Sequence, residues 1–408
     1  MRRREFLRTA GLIGAGASLP GAVPSRPNII FVLADELGIG GLSCYGGDTF
    51  LTPNLDALAR GGMRFTHAYT APLGGPSRAL ILTGRYSFRT GATNQTSAAT
   101  LDPAKETALP RLLQHAGYVS AAIGRWTLTA APSDFGFDES QTGGPPYHSP
   151  NGYTPDRMHD YLAGFLTRHR ARPFYVYYSL SQVHTGLRPT PDTPPSGNDF
   201  YGDNIRYMDR LIGKLVDVLE RLKLRENTLV VFTSDSGTGS VYADEATVRG
   251  RRLAGAKGSL LEGGSLVPLL ANWPGVTPSG IVSDDLIDST DFLPTFAELA
   301  GAQLPETPLD GHSFAPRLLA EAGKPRAWVY VQLGAQWYVR DANRKLNQAG
   351  ELFDMTRAPY EEPRLTGSSP ALQAVLDQLN PAAGIQDSGD GSGRSVNHSL
   401  HTRKKKLY

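Results

Sequence analysis

The sequence predicts an α/β protein: a doubly wound, mostly parallel sheet with helices on both faces, followed by a small α+β subdomain. Three observations carry this expectation. Short unbroken apolar runs at residues 29–34 and 228–232 read as strands buried on both faces of a sheet. Amphipathic helical stripes alternate with such runs, as parallel sheets require. From Trp328 onward the texture changes to short aromatic-rich segments separated by turns. A chain of 408 residues has room for one large α/β domain with an appendage. Its 40% hydrophobic and 20% charged residues supply both a packed core and a solvated surface.

The elements follow in order. Residues 1–22 carry four Arg against one Glu. Within them Arg3-Arg4-Glu5-Phe6-Leu7 reads as a twin-arginine export motif, followed by a weakly apolar run and small residues suited to cleavage. That run is too short to span a membrane. The body opens with Arg26-Pro27-Asn28 and the strand at 29–34. Thr52 is expected to cap a helix with Pro53 in its first turn, Leu55, Leu58 and Ala59 on its apolar face, and Gly61-Gly62 at its end. Helix then alternates with strand: helix 109–116 with strand 118–123, and helix 161–169 with strand 173–180. A long stripe through Ile205, Met208, Leu211, Ile212, Leu215, Val216, Leu219 and Leu222 marks the clearest helix. Strands at 228–232 and 266–271 and a helix at 292–299 complete the α/β part. Strands at 329–332, 337–340 and 352–353 and a helix at 371–379 form the appendage. The expected division is a signal peptide at 1–22, an α/β domain at 23–326, an α+β subdomain at 327–383 and a disordered basic tail at 384–408.

Charge narrows the partners. The net charge is +2, but residues 1–22 and 384–408 each carry +3, so the body between them is −4. A mildly acidic body argues against a nucleic-acid partner. Beyond the export segment no run of 18 apolar residues occurs, so no membrane span is expected, and twin-arginine export implies a periplasmic or secreted protein. The single cysteine, Cys44, excludes an intramolecular disulfide and any multi-cysteine metal site.

In open α/β sheets ligands bind beyond the carboxyl ends of the strands. Asp35-Glu36 directly follows the first strand, and Asp235 closely follows the strand at 228–232. Three carboxylates at converging strand ends repel one another unless a cation sits between them. Oxygen-only ligands point to Ca²⁺ or Mg²⁺. Each carboxylate could equally cap a turn or helix by itself.

The segment from Arg26 through Asp35-Glu36 to Gly38 resembles the opening of the sulfatase family, of alkaline-phosphatase-like fold. Ser43-Cys44-Tyr45-Gly46 and Thr52-Pro53-Asn54-Leu55-Asp56 continue the likeness. Pro76-Ser77-Arg78-Ala79-Leu80 with Leu82-Thr83-Gly84-Arg85 is similar to the signature helix. Phe232-Thr233-Ser234-Asp235, Lys257-Gly258, Glu262-Gly263-Gly264 and Leu352-Phe353-Asp354 match later blocks. The resemblance runs in order from about residue 26 to 380. It implies a divalent metal held by Asp35, Glu36, Asp235 and Ser236. It also implies an anion pocket formed by Arg78, Arg125 and Lys257, and His184 as proton donor.

The same comparison exposes departures. The family converts a Cys at the head of Cys-x-Pro-Ser-Arg to formylglycine, whose hydrate is the nucleophile. This chain has Gly74-Gly75-Pro76-Ser77-Arg78, and Gly74 has no side chain to oxidise. Cys44 lies about 30 positions earlier and is expected to be a buried structural thiol. The paired Asp becomes Asp35-Glu36, the Asp-Asn pair becomes Asp235-Ser236, and Lys-Trp-His becomes Arg125-Trp126-Thr127. Thr127 cannot replace an imidazole that handles the hydrate. Arg78 could also simply pair with a carboxylate, His184 could be a loop histidine and Lys257 a solvated loop lysine.

The reading that follows is an exported protein that binds a sulfate ester, a sulfated small molecule or carbohydrate, with little or no formylglycine-type hydrolysis. The runner-up is an active sulfate-, phosphate- or phosphonate-ester hydrolase using a metal-activated water. A third is a structural partner with no ligand.

Overall fold

The computed structural model describes residues 26–143, 148–149 and 152–366. The expected export segment, the helix expected at 371–379 and the tail expected to be disordered lie outside them. Among the described residues fourteen strands occur: β1 (Asn28–Ala34), β2 (Met63–Tyr69), β3 (Val119–Gly124), β4 (Glu139–Thr142), β5 (His148–Ser149), β6 (Gly152–Tyr153), β7 (Phe174–Ser179), β8 (Thr228–Ser234), β9 (Leu266–Asn272), β10 (Ile281–Asp288), β11 (Val329–Leu333), β12 (Gln336–Arg340), β13 (Arg344–Asn347) and β14 (Leu352–Asp354). The helices are α1 (Pro53–Arg60), α2 (Gly74–Thr83), the short α3 (Ser87–Thr90) and α4 (Gln95–Ala99), α5 (Leu109–His115), α6 (Thr154–His169), α7 (Phe200–Arg221), the one-turn α8 (Glu262–Ser265), α9 (Phe292–Ala300) and α10 (Ala315–Leu318).

Eight strands form the main sheet in the order β10-β2-β9-β8-β1-β7-β3-β4. All run parallel except β9, which pairs antiparallel with both β2 and β8. The doubly wound expectation holds in the core of this sheet. Alternate residues of β1 enter opposite cores: Ile30 and Val32 pack with α6 and α7, and Ile29, Phe31 and Leu33 with α2, α5 and α9. Every residue of β1 and β8 is buried, as their unbroken apolar runs predicted.

Several boundaries differ from the sequence expectation. The helix expected at 161–169 begins at Thr154, because Thr154-Pro155 starts it just as Thr52-Pro53 starts α1. Thr52 occupies the cap position of α1, but its hydroxyl makes no cap bond; it is paired with Ser43 instead. Strands β2, β4, β5, β6, β10 and β13 lie outside the sequence expectation.

The C-terminal strands form a separate antiparallel sheet, β11-β12-β13-β14. It packs on the α/β body through Ala71, Leu80, Tyr86, Tyr330, Trp337 and Val339. A buried ionic contact fastens it. Arg340 on β12 reaches Glu262 Oε1 at 2.8 Å and the Tyr69 hydroxyl at 2.5 Å. The Glu262-Gly263-Gly264 block thus has a structural use. Its Glu receives the appendage, and its glycines lie where a Cβ would strike the backbone carbonyls of Ala254 and Ser259. Among the described residues no helix is long and apolar enough to cross a membrane.

Candidate functional site

Four neighbouring parallel strands, β8, β1, β7 and β3, end side by side. Their carboxyl ends deliver Asp235, Asp35 with Glu36, the loop to His184, and Arg125 to one place. Helix α2 crosses the same end, bringing Gly74 and Arg78. Its entry is fixed by Ser77, whose hydroxyl donates to the carbonyls of Ala71 and Leu73 at 2.9 and 3.0 Å. Gly124 ends β3 at φ +94°, where a Cβ would run into the Ser179 carbonyl. Only glycine allows the chain to turn there and carry Arg125 inward.

All nine expected site positions meet in this region except that Gly74 contributes backbone alone. The floor is buried: Asp35, Glu36, Asp235, Ser236 and Arg78 are each 3% exposed or less. The rim is Arg125, His184 and Lys257, whose side chains are 18%, 25% and 25% exposed.

Each carboxylate faces a cation. Arg78 Nη2 donates to Asp235 Oδ2 at 2.9 Å and lies 3.9 Å from Asp35 Oδ2. Its Nη1 donates to the hydroxyls of Ser179 and Tyr177 and the carbonyl of Arg125, at 2.6, 3.2 and 3.2 Å. Arg125 Nε approaches Asp35 Oδ2 to 2.7 Å, yet no donor is aligned on that oxygen, which is buried without a hydrogen bond. Lys257 Nζ pairs with Glu36 Oε1, and His184 Nε2 lies 3.3 Å from the same oxygen. The other oxygen of Glu36 accepts from the Thr185 amide at 3.0 Å and from its hydroxyl.

Glu36 holds this position at φ +57°, the left-handed region that costs a side-chain-bearing residue roughly 1–3 kcal/mol. Its longer arm therefore points toward Lys257, His184 and Thr185. Ser236 turns its hydroxyl to Asp235 Oδ1 at 3.4 Å and to the Gly237 carbonyl at 3.3 Å. Burial, and then the Asp235 charge, push the Asp35 carboxyl up to about 8 against the pull of Arg78 and Arg125. Burial and the nearby Arg125 lower His184 below the ordinary imidazole range despite Glu36.

A divalent ion fits the acid floor on one structural ground. Asp35 Oδ2 is a buried carboxylate oxygen that Arg125 and Arg78 approach to 2.7 and 3.9 Å without making a hydrogen bond, so charge alone offsets its desolvation and direct ligation to an ion would serve it better. Arg78 pairs with a carboxylate, as its plain reading allowed, whereas Lys257 pairs with Glu36 rather than standing as a solvated loop lysine. Thr127 Oγ1 is buried without a hydrogen-bond partner, and its neighbour Trp126 donates to the Ala130 carbonyl at 2.8 Å.

Cys44 is half-buried rather than fully buried, on an open groove with Asp56, Arg60 and Arg64. Burial and Asp56 push its thiol up to about 12, which makes it a poor nucleophile at neutral pH. Sequence reasoning missed Thr185, Tyr177 and Ser179, which clamp Glu36 and Arg78. Thr185 adjoins His184, but no spacing rule distinguishes a clamp from any other loop hydroxyl.

A strand-end floor of acids ringed by basic side chains, on a mostly parallel sheet with an antiparallel appendage, fits the alkaline-phosphatase-like fold. The family model for sulfatases matches residues 27–302. This chain belongs to the sulfatase family. It is 34% identical to human arylsulfatase A over 358 residues, 75% of this chain and 70% of that protein. It is 35% identical to N-acetylgalactosamine-6-sulfatase of Canis lupus familiaris over 369 residues, 77% and 69% of the two chains. Among solved structures, Ps i-CgsB in complex with k-i-k-neocarrahexaose aligns at TM-score 0.76 and 26% identity, covering 90% of this chain and 95% of that one.

Proposed function

We propose that this protein binds sulfated carbohydrates at a divalent-metal pocket and turns them over little or not at all by formylglycine chemistry. The observation that carries the reading is the one-for-one matching of Asp35, Glu36 and Asp235 with Arg125, Lys257 and Arg78, beside a Gly74 that offers no nucleophile. Asp35, Glu36, Asp235 and Ser236 would hold a divalent ion, and with their charge so matched Arg125, Lys257 and Arg78 would be available to an anion. A sulfate ester then meets two guanidinium groups and an ammonium, with His184 at the rim. Carbohydrate is favoured because the names of two similar proteins refer to an amino-sugar sulfate and to a bound neocarrahexaose.

The test is calorimetry and turnover of para-nitrophenyl sulfate by the protein beside its Gly74→Cys variant, produced with a formylglycine-generating enzyme. Binding without turnover in the parent supports the reading. Efficient turnover by the parent, with no gain from Gly74→Cys, replaces it with hydrolysis by a metal-activated water. In that case His184 protonates the leaving group, and Arg78, Arg125 and Lys257 stabilise the anion. Neither binding nor turnover leaves a structural partner.

We also infer periplasmic export from Arg3-Arg4-Glu5-Phe6-Leu7. Replacing Arg3 and Arg4 with Lys should trap the protein in the cytoplasm; undiminished periplasmic yield refutes export by this route.

A further inference from the structure

Just beyond the acid floor the chain makes a one-turn 3₁₀ helix, Ser240–Tyr242, in which the charged site has no part. Gly237, Thr238 and Gly239 lead to it from Ser236. Ser240 is exposed and Val241 is 63% exposed, so the turn stands at the surface. Tyr242 folds back from it. Its ring lies flat on that of Tyr201, with centroids 4.6 Å apart and planes 6° from parallel. Tyr201 is itself buried and braced edge-on by Phe50 at 5.3 Å. The Leu187 amide, on the loop that follows His184, approaches the Tyr242 hydroxyl. One face of the ring and its polar tip are thereby fixed. Tyr242 nevertheless stays partly exposed, and among the described residues no ring or cation stacks on its other face.

This ring borders the charged site. A Cβ built on Gly239 would lie 2.8 Å from both Glu36 Oε2 and Thr185 Oγ1, and 3.8 Å from Tyr242 Cδ2. A single carbon atom would therefore bridge the Glu36–Thr185 clamp and the edge of the tyrosine ring. The other oxygen of Glu36 meets Lys257 and His184 at the rim. A flat apolar face thus adjoins a ring of cations.

We propose that Tyr242 is the platform on which the sugar ring of a sulfated carbohydrate stacks, while its sulfate sits among Arg78, Arg125 and Lys257. The inference rests on the ester-binding reading above and names the residue that selects a sugar over other sulfate esters. A sugar sulfate presents two unlike parts. Its anionic oxygens need cations, and its pyranose carries axial C–H groups on an otherwise polar ring. The electron-rich face of an aromatic ring attracts such C–H groups. A tyrosine already locked in place loses little freedom on binding them, so most of the contact appears as affinity. Tyr201 is the positioning residue, because it sets the plane of the platform. The alternative role for Tyr242 is to pack the turn onto Tyr201, which any apolar side chain of similar size would do.

The test is calorimetry of the full-length protein with galactose 6-sulfate, galactose and inorganic sulfate, repeated for Tyr242→Phe, Tyr242→Leu and Tyr242→Trp, with melting curves for each. Tyr242→Leu should weaken galactose 6-sulfate by about tenfold, the ordinary loss when an aromatic anchor is truncated. Tyr242→Phe should stay near the parent, and inorganic sulfate should bind equally to all. In Tyr242→Trp, galactose 6-sulfate should change the indole fluorescence relative to the parent, and inorganic sulfate should not. Should Tyr242→Leu fail to fold, that fluorescence decides. Unaltered galactose 6-sulfate affinity in folded Tyr242→Leu, or fluorescence of Tyr242→Trp unmoved by the bound sugar sulfate, overturns the platform and leaves ester binding standing. A parallel loss of inorganic sulfate in Tyr242→Leu also overturns it, since the variant has then disturbed the anion pocket. Galactose binding that depends on Tyr242, with neither sulfate bound, sinks the ester reading and keeps the platform. Binding of none of the three sinks both.

Discussion

Asp235 fills the space into which any side chain at Gly74 must grow. A Cβ at that glycine would sit 3.0 Å from Asp235 Cγ and closer still to its Oδ2. The nucleophile position therefore points straight at the acid floor, and its neighbour has moved into the room that a larger residue would need.

Gly74→Cys should accordingly be costly before it is useful. Asp235 has to turn away from the new side chain, which strains its 2.9 Å contact with Arg78. We expect a lowered Tm and weak recovery of aryl sulfate hydrolysis after conversion to formylglycine. Adding Thr127→His and Ser236→Asn should raise the rate more than the single changes together, because residues acting as one catalytic unit are not additive. Hydrolysis rates of the single and combined variants, read beside their melting curves, check this.

Arg78 is the keystone of the floor. Arg78→Ala leaves Asp235 buried without its cation and strips Ser179 and Tyr177 of their shared donor. Removing one partner of a buried ion pair costs about 3–5 kcal/mol. Denaturant unfolding should show a loss of that order in metal-free protein, and an added divalent cation should restore part of it. A loss below about 1 kcal/mol would show that water already reaches these carboxylates.

Asp35 makes the metal-free protein sensitive to alkali. Its carboxyl titrates near 3.8 in an unfolded chain and at about 8 in the folded one. Between those values the folded state holds a proton that the unfolded state has lost. The contribution of this group is thus complete below pH 3.8 and is lost as pH rises through about 8. Asp35→Asn should remove this part of the slope in Tm against pH. A saturating divalent ion should flatten it too, since a cation favours the ionised carboxylate.

Metal and anion should bind with positive coupling. Without the ion, Arg78, Arg125 and Lys257 are each held by a carboxylate, so an incoming sulfate competes with internal anions. Affinity for para-nitrophenyl sulfate should rise on adding the ion, by about 5–150-fold if the coupling is of ordinary size, and the sulfate should tighten the ion equally. Equal sulfate affinity with and without metal would contradict the exchange of partners described above.

Much of the fold was legible because buried parallel strands announce themselves as unbroken apolar runs, as β1, β7 and β8 do. β2 was not, because only Met63 and Phe65 of its first four residues are buried, with Arg64 and Thr66 between them. β10 carries three Asp and exposes Ile281 and Val282 at the sheet edge, so its composition resembles a loop. The reversed direction of β9 is invisible in sequence, since a run buried on both faces reads the same either way. The strand-end acids were legible from position alone. The sideways reach of Glu36 was not, for it depends on a left-handed backbone and on Thr185, Lys257 and His184 arriving from two distant loops.

The pairing of β1 with β8 joins Asn28 to Thr228, side chains 200 positions apart. Closing so long a loop must be paid in chain entropy before any contact rewards it, and topologies dominated by such pairings assemble slowly. The acids of the floor thus stay apart until more than half of the chain has been synthesised. A nascent chain offers an ion only scattered carboxylates, each well solvated and weak by itself. Selectivity for one metal over another is therefore exercised late, in whichever compartment the chain completes its central sheet.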